Sequence, residues 1–108
     1  MENSRIEQIK IFLKETPTDP FLNYALAIEF VAINEFKKAK EIFENLIKNN
    51  PDYSATYYHL GKLLIAENKK DDAIKVFETG INITRQNNEQ HAASELISAL
   101  NEILYDED

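Results

Sequence analysis

The sequence predicts an all-α fold, a right-sized single domain built as an α-α superhelix of about six antiparallel helices. Three observations predict it. The 108 residues contain only two glycines and three prolines, which leaves little material for β-hairpin turns. The chain is 44% apolar and 29% charged, enough to build a core and too apolar for a disordered tail. Residues 17–50 also align without a gap on residues 51–84, an internal period of 34. In that register Pro17 meets Pro51, Tyr24 meets Tyr58, Leu26 meets Leu60 and Ala32 meets Ala66. Asn34 meets Asn68, Ala39 meets Ala73, Phe43 meets Phe77, Glu44 meets Glu78 and Ile47 meets Ile81.

The elements follow in order. Ser4-Arg5-Ile6-Glu7 has capping-box spacing and opens a helix over 4–15, with Ile6, Ile9, Phe12 and Leu13 on one side. Shifted by one period, this helix matches the second helix of a repeat. Asp19-Pro20 supplies an N-cap and a first-turn proline for a helix reaching Ile33. Asn34-Glu35 breaks it. Ala39, Ile42, Phe43, Leu46 and Ile47 then recur at helical spacing until Asn49-Asn50-Pro51, because proline cannot continue a helix. In the second copy a helix starts at Asp52 or Ser54 and runs to about Ala66. Asn68-Lys69-Lys70 turns the chain. Asp71 and Asp72 favour the dipole of the next helix, which reaches about Ile83. Thr84 to Gln90 reads as a polar loop. A last helix over 88–105 carries Ala93, Leu96, Ile97, Leu100, Ile103 and Leu104 and covers the exposed side of the second repeat. Asp106-Glu107-Asp108 reads as a solvated tail. The whole chain, 1–108, reads as one domain.

The second copy places Tyr57, Leu60, Gly61, Leu64, Ala73 and Phe77, and the first places Leu26, Ala27, Phe30, Ala39, Phe43 and Pro51, at the spacing of an aromatic, Leu, a small residue, a large residue, Ala, an aromatic and Pro. This pattern resembles the tetratricopeptide repeat family. It departs from it at Asn23, where the first aromatic belongs, at Leu46 and Gly80 in place of the late alanine, and at Arg85 in place of a proline. Ala27, Gly61, Ala39 and Ala73 are small because two helices of a hairpin approach closely only over a small side chain.

Charge and chemistry narrow the function. Twelve Lys+Arg against nineteen Asp+Glu give a net charge of -7, the wrong sign for binding phosphate backbones. Without cysteine there is no disulfide, thiolate nucleophile or Cys-type zinc site. No apolar run reaches the ~20 residues of a membrane span, and the N-terminus shows no secretory signal, so a cytoplasmic location is expected. His59 and His91 lie on different helices, and neither stands three or four residues from a second His or in a His-Glu-x-x-His run; they read as packed or first-turn residues, and no metal is expected. Gly61 and Gly80 fall inside helices, so no phosphate loop exists. Ser4, Ser54, Ser94 and Ser98 have no nucleophile motif around them. No catalytic residue and no cofactor are expected.

The first helix of each repeat is the informative segment. In residues 20–33 only Asn23 and Glu29 are polar. A helix apolar all round must be covered on every side or offered to a partner. Leu22, Leu26, Ala27 and Phe30 serve the core. The resemblance implies that the opposite stripe, Phe21, Tyr24, Ile28 and Val31, faces a concave groove; the matching residues of the second copy are Ala55, Tyr58, Lys62 and Ile65. The expected function is protein–protein interaction, with Phe21, Tyr24, Ile28, Val31, Tyr58, Lys62 and Ile65 holding a peptide or protein segment. The alternatives are a homodimer through the same stripe, or covering of the stripe by the chain's own terminal helices. Members that clamp the carboxylate terminus of chaperones carry Lys and Asn where this chain has Tyr24, Ile28 and His59, so that use is not expected. Residues 51–108 hold 5 basic and 11 acidic side chains, a charge that serves solubility or steers a basic partner.

Overall fold

The computed structural model describes residues 4–105, and the acidic tail, 106–108, lies outside them. Within that range the chain is six α-helices and no strand: α1 (Ser4–Glu15), α2 (Pro20–Ala32), α3 (Phe36–Asn49), α4 (Ala55–Ala66), α5 (Lys70–Gln86) and α6 (Gln90–Leu104). The fold is all-α, as the composition and period imply. Two compact units divide at the repeat boundary, one over Met1–Asn50 and one over Pro51–Asp108.

In the first unit α1 packs on α2, and α2 on α3. Asp19 caps α2, its Oδ1 accepting from Leu22 N at 2.9 Å. Ile6 and Ile9 bury one side of α1; Leu26, Ala27 and Phe30 of α2 meet Ala39, Phe43 and Leu46 of α3 in the core. Ala27, Ala39 and Phe43 are wholly buried, which is the close crossing that the small residues permit. Arg5 of α1 reaches Glu29 of α2 at 3.3 Å. Among the described residues α1 begins at Ser4.

In the second unit α5 packs against both α4 and α6, and α4 also touches α6. Gly61 is fully enclosed: a Cβ there would fall under 3.0 Å from the Phe77 ring. Gly80 is squeezed from two sides, with Tyr57 of α4 at 2.6 Å and Leu96 of α6 at 3.0 Å from where its Cβ would stand. Here α5 runs to Gln86, about one turn beyond the expected end near Ile83. Thr84 explains the difference. Its hydroxyl donates back to the carbonyls of Gly80 (2.9 Å) and Ile81 (3.0 Å), which hides its polarity inside the helix and lets it be buried.

One turn closes all three hairpins. Asn34, Asn68 and Asn88 each adopt a left-handed backbone, with φ of 64°, 63° and 61°. Each amide returns to a carbonyl three residues back, and the next amide to one five back: Glu35 N to Phe30 O, Lys69 N to Leu64 O and Glu89 N to Thr84 O, all at 2.8 Å. This is a Schellman stop, with asparagine accepting the left-handed position that Gly often fills. Five residues later stands a buried alanine in each case, Ala39, Ala73 or Ala93. The α5–α6 hairpin thus copies the device of the other two.

The departures from the family pattern have a packing logic. In the second unit Tyr57 is buried, and its hydroxyl donates to Pro51 O at 2.5 Å. In the first unit the matching Asn23 donates to the matching carbonyl, Pro17 O, at 3.0 Å, and to Asp19 O at 2.9 Å. Asparagine keeps the hydrogen bond and gives up the ring. The partner position compensates: Gly80 sits under Tyr57, while its counterpart Leu46 fills in beside Asn23 and is buried. An open cleft of about 360 Å³ remains there, lined by Pro17, Asn23, Ile42, Leu46 and Asn49 among others.

Candidate functional site

The residues expected to bind a partner divide between the two units, and each set is described within its own unit. In the first unit all four lie on α2. Phe21 projects from its first turn and is 62% exposed. Tyr24, Ile28 and Val31 are half-buried. Tyr24 leans back on the hairpin: its ring lies 6.3 Å from that of Phe43, tilted at 52°. It therefore joins the packing of α2 on α3 as well as the α2 surface. Ile33, at the end of the helix, and Phe36, at the start of α3, are also exposed.

In the second unit Tyr58, Lys62 and Ile65 lie on α4 at positions i, i+4 and i+7, one face of a helix. They border α6. Lys62 and Ile65 share an open cleft of about 380 Å³ with Asn68, Lys70, Ala99, Glu102 and Ile103. Tyr58 lines an adjoining pocket of about 250 Å³ with Ser94, Glu95, Ser98, Ala99 and Glu102. The C-terminal helix does not roof this stripe. It stands beside it as a second wall, polar above and apolar at the floor through Ala99 and Ile103, both buried. Lys62 is exposed, Ile65 is 37% exposed, and Tyr58 is half-buried. The Lys62 ammonium lies 5.7 Å over the Tyr58 ring, a cation–π contact.

The α6 wall went unread in the sequence. Ser94, Ser98 and Glu102 are spaced i, i+4, i+8 and form one polar stripe, but α6 stands outside the 34-residue register, so no repeat position pointed to them.

His59, beside Tyr58, presents its ring edge-on to that tyrosine at 5.4 Å. Burial pushes its imidazole below the ordinary value of 6.5, with Glu95 acting more weakly in the opposite sense. Below pH 6.5 the unfolded chain then binds a proton that the folded chain resists. Stability from this group is complete above 6.5 and falls as the pH drops from there to the lower folded value. We expect the melting temperature to decline from pH 7.5 to 5.5, and His59→Gln to flatten that decline in thermal melts followed by circular dichroism. Parallel profiles for the two proteins would contradict the assignment. His91, on α6, lies 3.4 Å from Glu95. Among the described residues no group of three or more His, Asp or Glu side chains is arranged to hold a metal ion. Nor is any described helix long and apolar enough to cross a membrane.

The family model described as tetratricopeptide repeat matches residues 30–97. Two solved structures of a tetratricopeptide repeat domain protein from Salinibacter ruber are similar to this chain. The solution structure is 41% identical over 81% of this chain and 88% of its own, with a TM-score of 0.77. The crystal structure is 40% identical over 82% of this chain and 100% of its own, with a TM-score of 0.80. A Bordetella parapertussis protein shares the fold at 20% identity, covering 98% of this chain and 91% of its own with a TM-score of 0.82. No curated protein sequence matches the chain. The period, the hairpins and these matches agree: the chain belongs to the tetratricopeptide repeat family, whose fold is generally a protein–protein interaction module.

Proposed function

We propose that the chain is an adaptor or assembly module that holds a peptide or protein segment against the first helices of its repeats. In the first unit the contacts are Phe21, Tyr24, Ile28 and Val31; in the second they are Tyr58, Lys62 and Ile65. The observation that carries this reading is the open cleft beside α4, in which Lys62 and Ile65 face the Ala99–Ile103 floor of α6. Apolar surface left open between two helices, rimmed by charge, is what an interface needs before its partner arrives. Proteins of this family are generally non-enzymatic scaffolds, which agrees with a site of aromatic, aliphatic and rim-charge character.

The test uses the two exposed anchors. Phe21→Ser with Ile65→Ser removes apolar contact area at two exposed positions, and circular dichroism checks that the helices persist. We expect unchanged helicity and loss of the proteins captured by the wild-type chain in affinity purification from its native cells. Capture that survives both substitutions would move the binding surface elsewhere. A homodimer through the same stripe is the second reading, favoured by Phe21 and Ile33 standing 62% and 46% exposed on one helix end each. Light scattering after size exclusion separates the two, since a strict monomer at high micromolar concentration removes the dimer.

A further inference from the structure

We infer that the Tyr58 end of the α4–α6 cleft receives an arginine side chain of the partner segment; this rests on the binding-module reading above and names what that site recognises. The pocket is lined by Tyr58, Ser94, Glu95, Ser98, Ala99 and Glu102, an aromatic ring, two carboxylates and two hydroxyls, and the Lys62 ammonium stands at its edge, 5.7 Å over the Tyr58 ring. The ring already draws positive charge, because Lys62 turns its ammonium over Tyr58 and makes no ion pair with Glu95 or Glu102 among the described residues. Glu102 has no ion-pair partner among them either, while Glu95 pairs with His91 and its charge also acts on the His59 imidazole.

Geometry selects among cations. Glu95 and Glu102 are seven residues apart on α6, about 10.5 Å along the helix axis. Two carboxylates so spaced cannot both approach a divalent ion at the ~2.4 Å that coordination requires. A guanidinium is planar, stacks on an aromatic face, and spreads five N–H donors in a fork that one carboxylate accepts in pairs. The other donors are within the chemistry of Ser94 and Ser98, which accept through their hydroxyls. An ammonium is more strongly hydrated and gains less from the ring. Towards the other end, Ile65, Ala99 and Ile103 offer an apolar seat about two α4 turns from Tyr58. An extended chain covers that distance in about three residues. The fitting segment therefore carries arginine and, three residues on, a large aliphatic side chain.

The probe is a capped, fluorescein-labelled hexapeptide, Ala-Arg-Ala-Ala-Leu-Ala, beside the same peptide with citrulline, the neutral isostere of arginine. Affinity is read by fluorescence anisotropy at low salt, and position by amide shifts in nitrogen–proton correlation spectra. We expect the arginine peptide to move the amides of Tyr58, Ser94, Glu95, Ser98 and Glu102, and to bind about five- to tenfold more tightly than the citrulline peptide. Glu95→Gln with Glu102→Gln should erase that preference while the far-ultraviolet spectrum stays unchanged. Equal binding of both peptides, or amide shifts confined to other residues, overturns the arginine assignment but leaves the cleft as a docking site. No shift with either peptide up to millimolar concentration also overturns it, and the anchor substitutions above then decide by themselves whether the broader reading stands.

Discussion

Gly61→Leu should be among the most damaging single substitutions in the second unit, costing about 1–3 kcal/mol. Even the Cβ of alanine would fall within 3.0 Å of three atoms of the Phe77 ring, and Phe77 has no exposed surface to move into. Leucine adds three further carbons to that clash, and overpacking of this kind forces rotamer and backbone shifts. The milder Gly61→Ala is the sharper test of the cause. Helix propensity alone would make it stabilising by about 1 kcal/mol, whereas the crossing predicts a net loss. Thermal unfolding separates the two, with about 4–8 °C per kcal/mol expected for a domain near this size. A raised melting temperature for Gly61→Ala would mean that the Phe77 ring slides aside and that the crossing is not tight. The first unit accepts alanine at the matching position, Ala27, which is wholly buried.

Phe43→Ala should cost more, about 3–5 kcal/mol, the usual range for emptying an aromatic site in a core. Phe43 is wholly buried between α2 and α3. Its loss removes the floor beneath Tyr24, whose ring lies 6.3 Å away, so the variant should also loosen one of the proposed contact residues. Total stabilities of small domains are about 5–15 kcal/mol, so Phe43→Ala should shift the urea midpoint by a large fraction of its value. A cost below about 1 kcal/mol would show that the first unit collapses around the vacancy without penalty.

The hairpins were legible because their evidence is periodic. Pro17 with Pro51, Ala39 with Ala73 and Phe43 with Phe77 mark the same packing positions twice, and a duplicated core leaves the same residues in the same places. What escaped reading was polar. Asn34 and Asn68 look like breaks in the apolar pattern, while their role is a left-handed stop; Asn88 repeats it twenty residues after Asn68, outside the 34-residue period. Thr84 looked like loop because its hydroxyl bond to Gly80 O is invisible in a hydropathy pattern. The stripe of apolar α2 and α4 residues was readable as a candidate surface. Its opposite wall in the second unit was not, since Ser94, Ser98 and Glu102 resemble any solvated helix face until α6 is seen lying against α4.

The exchange of Tyr57 over Gly80 for Asn23 beside Leu46 limits how the two copies can evolve or be recombined. Each crossing is a matched couple, bulky above slender in one copy and slender above bulky in the other. A designer who averaged the copies into a single consensus unit would mix halves of different couples. Pairing tyrosine with leucine would jam the joint, and pairing asparagine with glycine would leave it hollow. A change at one of these positions is therefore tied to its mate, because the two copies set their bulk on opposite sides of the same joint.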